Sequence, residues 1–399
     1  MRIRRSSDGL VVYAVAGTDV VLLGFNLPKN RTADLLGFAI LRTDHERGET
    51  FWLDGFKRFP STDPGTPAGQ GVSTRNQPIQ SFQWADYTVR PGQRFTYEVV
   101  AMRGTPAALT ESQRVRVDVD TETRDATTHR VWFNRGAASS QAYVRRFGNR
   151  TPDEVGQAAF DWLSRGLFEA YTSFLARASS SRWTVRAALY ECHYKEALMP
   201  LRAAKLRGAD VRIVYDARDA ELRAKNEEAL GEAGLKSRAR ARVANPSAIA
   251  HNKFIVLIEN GTPRAVWTGS MNLSLNGIYG QSNVGHWVED AATASAYLDY
   301  WERLNDDPEF DELRPADDAA SSIDSGSLVR GTTALFSPRT GNAQLQRIAG
   351  LIADARRAAF ITLPFGIVAT MAPALTEDDG ILRCILLDSA GSAASQRAA

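Results

Sequence analysis

The period of the apolar residues changes once along this chain, close to residue 123, and that change limits the architectures open to it. Up to Thr123 the apolar residues come in short β-branched and aromatic runs: "GLVVYAVAGTDVVLLGFNL", "LLGFAILRTD", "SFQWADYTV", "RFTYEVVAMRG" and "RVRVDVDTE". Clusters of Gly, Pro, Asp and Asn separate them, which is the pattern of strands and turns. In "VRPGQRFTYEVVA" a Pro-Gly turn leads into a strand with Phe95, Tyr97 and Val99 on one face and Thr96, Glu98 and Val100 on the other. "FPSTDPGTPAGQGVSTRNQP" is a long turn-rich loop inside this region.

After Arg124 strands alternate with helices. "TPDE" at Thr151–Glu154 combines an N-cap Thr, a Pro at the first helical position and a Glu three places after the cap. Apolar residues at Phe160, Leu163, Leu167, Tyr171, Phe174 and Leu175 then form a helical stripe. "WTVRAALYEC" reads as a strand, "KEALMPLRAAKLRG" as a helix ended by Gly208, "ADVRIVYD" as a strand and "AELRAKNEEALGEAG" as a helix. "AIAHNKFIVLI" and "RAVWTGS" are two strands joined by the turn "ENGTP". Such alternation predicts an α/β unit, a sheet with helices on its faces. A weaker repeat follows: "LQRIAGLIADARRAAFITLPF" matches "LFEAYTSFLARASSSRWTVRAALYEC" in order, and "GILRCILLDS" matches "GADVRIVYDARD". With 399 residues the chain exceeds one ordinary domain. The expected division is an all-β sandwich at 1–123, an α/β domain with a mixed sheet at 124–325 and an incomplete second copy of it at 326–399. The sandwich resembles a fibronectin type III or immunoglobulin-like domain, on strand patterning.

"HNKFIVLIENGTPRAVWTGSMN", His251–Asn272, carries the chemistry. Residues two apart on a strand share a face, so His251 and Lys253 project together. A neutral imidazole can attack phosphorus and a neighbouring cation can hold phosphate oxygens. Gly269 permits close backbone approach. Ser270 and Asn272 add a hydroxyl and an amide. His-x-Lys followed by Gly-Ser-x-Asn resembles the phospholipase D superfamily. The surrounding "AHNKFIVL", "VWTGSMNLS", "IYGQSNVGHWVED" and upstream "RGADVRIVYD" fit it too. The resemblance covers residues from Arg130 to the end. It implies a His nucleophile, a phosphohistidine intermediate and a second His as general acid. On it, His251, Lys253, Ser270 and Asn272 are the expected catalytic residues.

Three departures stand out. The family's Asp, five residues after the Lys, is Ile258 here, with Glu259 next to it; one residue's slip turns a side chain to the other face. "GQSN" offers Gln281, Ser282 and Asn283 where the family often has an acid before an Asn to orient the His. A neutral partner stabilises the charged imidazole less. Gly269, Gln281, Asn283 and Glu191 are the weaker candidates for substrate contacts or orientation. Finally, the spacing from Tyr190 to His251, carried over to Pro364, puts the counterpart His near residue 425, past Ala399, and no histidine follows His286. The chain therefore reads as a two-copy protein cut short, or as one that homodimerises to complete its site.

Other features are blander. His193, in "YECHYKEAL", sits at a strand-to-helix junction, where ligand sites occur but capping or packing is the commoner role. His286 alternates with Val284 and Val288 as a strand histidine. "KSRARARV" places Lys236, Arg238, Arg240 and Arg242 at alternate positions, usually a solvated edge strand and otherwise a phosphate track. The polar "VWFNRGAASSQAYVRR" either lines a groove or is a loop. Cys192 and Cys384 read as buried thiols. The net charge of +2 excludes a chain that coats polyanions throughout. No metal cluster, P-loop or dinucleotide fingerprint is visible, so no cofactor or metal is expected. No apolar run approaches the roughly 18 residues of a membrane span, and the basic N-terminus lacks a signal-peptide core, so a cytoplasmic protein is expected. These residues predict a phosphodiesterase acting on a phospholipid or a nucleic acid; the alternative is an inactive module binding phosphate or a partner.

Overall fold

The β-branched runs of the first third pair into two four-stranded antiparallel sheets in the computed structural model. The structure describes residues 1–399 except 68–69, 126–127, 137–139, 247–248, 323–330, 357, 364–365, 378, 380 and 388–399. The chain divides into two compact units, Met1–Arg130 and Val131–Ala399. In the first, one sheet orders Arg2–Ser7, Leu10–Ala16, Val21–Asn26 and Gln83–Asp86. The other orders Ala108–Asp120, Arg94–Thr105, Gly37–Asp44 and Glu49–Trp52. Leu10, Val12 and Leu23 of one sheet meet Phe38, Tyr97 and Val117 of the other in a single apolar cluster. Phe95, Tyr97 and Val99 enter it as their alternation predicts. Val100 does not face water; it packs with Ala39 and Met102 in a second small cluster. A buried ion pair lies inside this unit: Arg42 donates to Asp86 Oδ2 at 2.8 Å, and the Tyr97 hydroxyl donates to the same oxygen at 2.9 Å.

The second unit is built on a seven-stranded mixed sheet. Its order is His129–Phe133, Val284–Val288, Thr262–Gly269, Lys253–Glu259, Trp183–Leu189, Asp210–Asp216 and Ala239–Arg242. The last three run parallel to one another, while Lys253–Glu259 is antiparallel to both of its neighbours. The Lys253–Glu259 strand is nearly all apolar because both faces are covered. Ile255 and Leu257 pack with Tyr171, Phe174 and Leu198 of the helices Leu167–Ala176 and Lys195–Leu206. Phe254, Val256 and Ile258 pack on the other side with Tyr300, Trp301 and Leu304 of the helix Ala291–Asn305. That helix starts at Asp290, whose carboxylate accepts from the Thr293 amide at 2.8 Å. The second unit ends in the helix Ala343–Ala353, the strand Ala358–Leu363, the helix Ala372–Thr376 and the strand Leu382–Leu387, with the two strands paired in parallel.

Several expectations change. Thr151 and Glu154 form the capping box, but the helical stripe after it is broken. Arg165 and Gly166 take left-handed φ of 52° and 90°, so Gln157–Ser164 and Leu167–Ala176 are separate helices. The basic alternation does not run along one strand. Lys236–Arg238 is a 3-10 turn, where Lys236 pairs with Glu227 and Arg238 with Asp210; only Ala239–Arg242 is an edge strand, and Arg242 is buried. Cys192 is buried but Cys384 is only half-buried. Ile258 is fully committed to the apolar layer, while Glu259 lies on the other face of the strand and pairs with Arg264 at 3.4 Å. Strand parity thus keeps Glu259 from standing in for the family's Asp.

Placing that Asp at 258 now puts an unpaired carboxylate among Val256, Val266 and Tyr300. Ile258→Asp is expected to lower unfolding stability by about 3 kcal/mol or more, against about 1 kcal/mol for Ile258→Val, as read by urea titration of tryptophan fluorescence. Equal midpoints for the two variants would show that the layer tolerates the charge.

Candidate active site

The antiparallel pairing of Trp183–Leu189 with Lys253–Glu259 sets Leu189 opposite Lys253. The chain beyond Leu189 therefore runs beside the residues that precede Lys253. Tyr190 places its ring 4.6 Å from the His251 ring, edge-on at 70°. The Lys253 ammonium lies 5.1 Å from the centroid of the same ring. His251 and Lys253 thus stand side by side with Tyr190 as a shared wall. The Lys253 ammonium also donates to the His251 carbonyl at 3.2 Å. The chain spells His-x-Lys a second time, at His193–Lys195, but there Lys195 opens a helix and Tyr194 is its N-cap.

The Ala250 backbone and the Asn252 side chain anchor the chain on either side of His251. The Ala250 amide donates to Asp216 Oδ1 at 3.4 Å. Asn252 accepts from Arg242 Nη1 at 3.3 Å and donates to the Tyr300 hydroxyl at 3.1 Å. The Tyr300 hydroxyl in turn donates to the Ser337 carbonyl at 2.7 Å.

Glu191 ties the two motif segments together. Its Oε2 accepts from Asn272 Nδ2 at 3.0 Å and from the Ser274 hydroxyl at 2.9 Å, and its carbonyl accepts from the Leu273 amide at 2.9 Å. Gly269 has φ +143° and ends a strand so close to its neighbour that a Cβ would lie 2.2 Å from the Val284 carbonyl oxygen. Its freedom lets the Ser270 amide reach that oxygen at 3.0 Å. The Ser270 hydroxyl donates to Asn283 Oδ1 at 2.8 Å and accepts from the Val284 amide at 3.0 Å. Asn283 is further fixed by its own amide bond to Asn134 Oδ1 at 2.6 Å and by donating to the Gly277 carbonyl at 2.7 Å.

His251, Lys253, Asn272 and Glu191 are therefore brought into one electrostatic neighbourhood. Gly269, Ser270 and Asn283 form the loop framework beside it. Gln281 is exposed and takes part through its backbone, with its carbonyl accepting from Asn134 Nδ2 at 2.8 Å. Sequence reasoning missed Tyr190, Asp216, Arg242, Asn252 and Asn134. Strand register could have pointed to Tyr190, which follows the strand that pairs with Lys253. Nothing local distinguishes the others, because their partners are distant in sequence.

Burial sets the charge states. It pulls the His251 imidazole below its ordinary value, and the Lys253 cation adds to this, while Glu191 works in the opposite direction. Burial pulls the Lys253 ammonium down to about 8, again opposed by Glu191. Burial raises the Asp216 carboxyl, against the hydrogen bond from the Ala250 amide. At neutral pH these shifts favour a neutral imidazole at His251 beside a cationic Lys253. Among the described residues no three His, Cys, Asp or Glu side chains converge as a metal site.

Residues 172–305 match the family described as "Cardiolipin synthase, PLD-like domain". This stretch holds the His251 and Lys253 strand, Ser270 and Asn272, so a phospholipase D-like domain lies within the second unit. Among solved structures, the chain is similar to a phospholipase D family member, Nuc from Salmonella typhimurium, at 23% identity and a TM-score of 0.27, covering 35% of this chain and 84% of that one. It is similar to NucT from Helicobacter pylori at 18% identity and a TM-score of 0.28, covering 35% and 87%. It is also similar to phosphatidylserine synthase from Haemophilus influenzae at 13% identity and a TM-score of 0.40, covering 56% and 60%. No curated protein matches the chain.

Because Glu191 raises the His251 value, removing its charge must lower it. Glu191→Gln, which keeps an oxygen for Asn272, is expected to move the His251 imidazole titration to lower pH in a proton NMR series. An unchanged or higher midpoint would show that the carboxylate does not act on the imidazole.

Proposed function

We propose that the second unit is a phospholipase D-like phosphodiesterase whose nucleophile is His251. A ring nitrogen of the neutral imidazole attacks phosphorus, a P–N bond forms and the bond to the leaving alcohol breaks. Lys253 and the amide of Asn272 bind the phosphate oxygens, and Ser270 supports the loop that carries Asn272. The alkoxide takes its proton from the imidazole of a second His-x-Lys, which a second copy of the chain would contribute in a homodimer. Water then attacks phosphorus and gives a proton back to the second imidazole, the P–N bond breaks and His251 is restored. Glu191 takes the place of the acid that Ser282 does not supply: its charge favours the protonated forms of both His251 and Lys253.

What carries this proposal is the placement of His251 and Lys253 against the one Tyr190 ring, with Glu191 next in the chain. The phosphodiester belongs to a phospholipid or a nucleic acid. We also read residues 326–399 as a segment that repeats part of the preceding α/β domain. Its order of helix, strand, helix and parallel strand repeats that of Leu167–Ala176, Trp183–Leu189, Lys195–Leu206 and Asp210–Asp216. The fibronectin type III likeness of the first unit rests on its two facing sheets and its strand pattern. A second function, phosphate or partner binding without turnover, is favoured by Ile258 in the apolar layer and by the commitment of the Ser270 hydroxyl to Asn283.

Hydrolysis of bis(p-nitrophenyl) phosphate in excess EDTA separates the two. The wild type is expected to turn over, and His251→Ala to lose at least about a thousandfold. In the wild type kcat/KM should fall as pH rises through about 8, where Lys253 loses its proton, and Lys253→Arg should move that limb upward. No turnover in wild type would leave the binding module standing.

A further inference from the structure

A cavity of about 410 Å³ opens beside the start of the Lys253–Glu259 strand, with His251 and Lys253 in its lining. Its size lies in the range of small-molecule sites. One side is aromatic. Tyr300 stacks on Phe336 with centroids 4.4 Å apart and on Phe254 at 5.7 Å, Tyr297 packs edge-on to Phe254 and Phe336, and Phe310 lines the cavity with them. The other contribution is polar. Arg242 is only 6% exposed, and its Nε has no hydrogen-bond partner, lying 3.7 Å from Asp307 Oδ1. Asn252, bonded to Arg242 and to Tyr300, and Thr268 complete this set.

We propose that this cavity receives the nucleoside part of a nucleic-acid phosphodiester, with the base against the aromatic side and the phosphate at His251 and Lys253; this rests on reading those two residues as the phosphate site. A base has flat faces for the rings and ring nitrogens and carbonyl oxygens that can accept from a guanidinium. An acyl chain would cover Arg242 without offering its unpartnered Nε an acceptor, which is unfavourable for a buried polar group. Phe310 is the ring that can be changed safely: it is half-buried at the start of its helix, whereas Phe254, Tyr300 and Phe336 are core.

Calorimetric titration of the full chain with thymidine 5′-monophosphate, thymidine, glycerol 3-phosphate and dihexanoyl phosphatidic acid tests this. The nucleotide is expected to bind at least about tenfold tighter than glycerol 3-phosphate. Phe310→Ala should abolish that advantage and leave glycerol 3-phosphate unchanged, and Phe310→Tyr should retain it. Equal binding of the nucleotide and glycerol 3-phosphate overturns the subsite and leaves the phosphate site intact. Tighter binding of the short lipid, lost in Phe310→Ala, assigns the cavity to lipid and overturns the proposal. Thymidine bound without any contribution from phosphate supports the subsite and sinks the phosphate site. Binding of none of the four overturns both.

Discussion

The site depends on one strand pairing. The antiparallel ladder between Trp183–Leu189 and Lys253–Glu259, with Leu189 opposite Lys253, decides what stands beside His251. A shift of one residue would turn the whole Lys253–Glu259 strand over. Lys253 would then exchange faces with Phe254, and Ile255 and Leu257 would leave their cluster while Ile258 left the other. Two apolar layers, one on each side of the sheet, therefore hold the register that brings Tyr190 and Glu191 to His251 and Lys253. Core packing in this unit is what fixes the geometry of the polar groups at the end of the strand.

The same arrangement explains how the site manages its charges. Burial disfavours the protonated forms of both His251 and Lys253, and the Lys253 cation adds to this at His251. A nearby carboxylate favours the protonated form of Lys253. It comes from Glu191, just past the strand Trp183–Leu189, and not from the loop after Gly269. Glu191 also holds Asn272 and Ser274, so one side chain both supplies the charge and fixes the loop. The loop itself is braced from the far edge of the sheet, where Asn134 grips Asn283 and the Ile278 and Gln281 carbonyls.

Local patterns made much of the fold legible. Val, Ile and aromatic runs marked the strands, and the Thr151 capping box marked a helix start. His251 and Lys253 do stand against one ring, Tyr190, but not by strand alternation, because the strand starts at Lys253 and His251 precedes it. What was not legible depends on partners far apart in sequence. The left-handed pair Arg165–Gly166 splits what periodicity reads as one helix. Arg242, the last residue of an apparently solvated basic strand, is buried beside Asp307 and Asn252. Asn283 looked like a neutral partner for the imidazole, but its hydrogen bonds go to Ser270, Gly277 and Asn134. Tyr190 carried no motif at all, and only the register reveals its place.

The proposed reaction requires that His251 become covalently attached to phosphorus. The most direct measurement is rapid acid-free quenching of the chain during turnover of a diester, followed by mass spectrometry of the peptide containing His251. A phosphoryl-bearing adduct on His251, stable in base and labile in acid, is the expected result. Turnover with unmodified His251 at every quench time, or the adduct on another residue, would contradict the account.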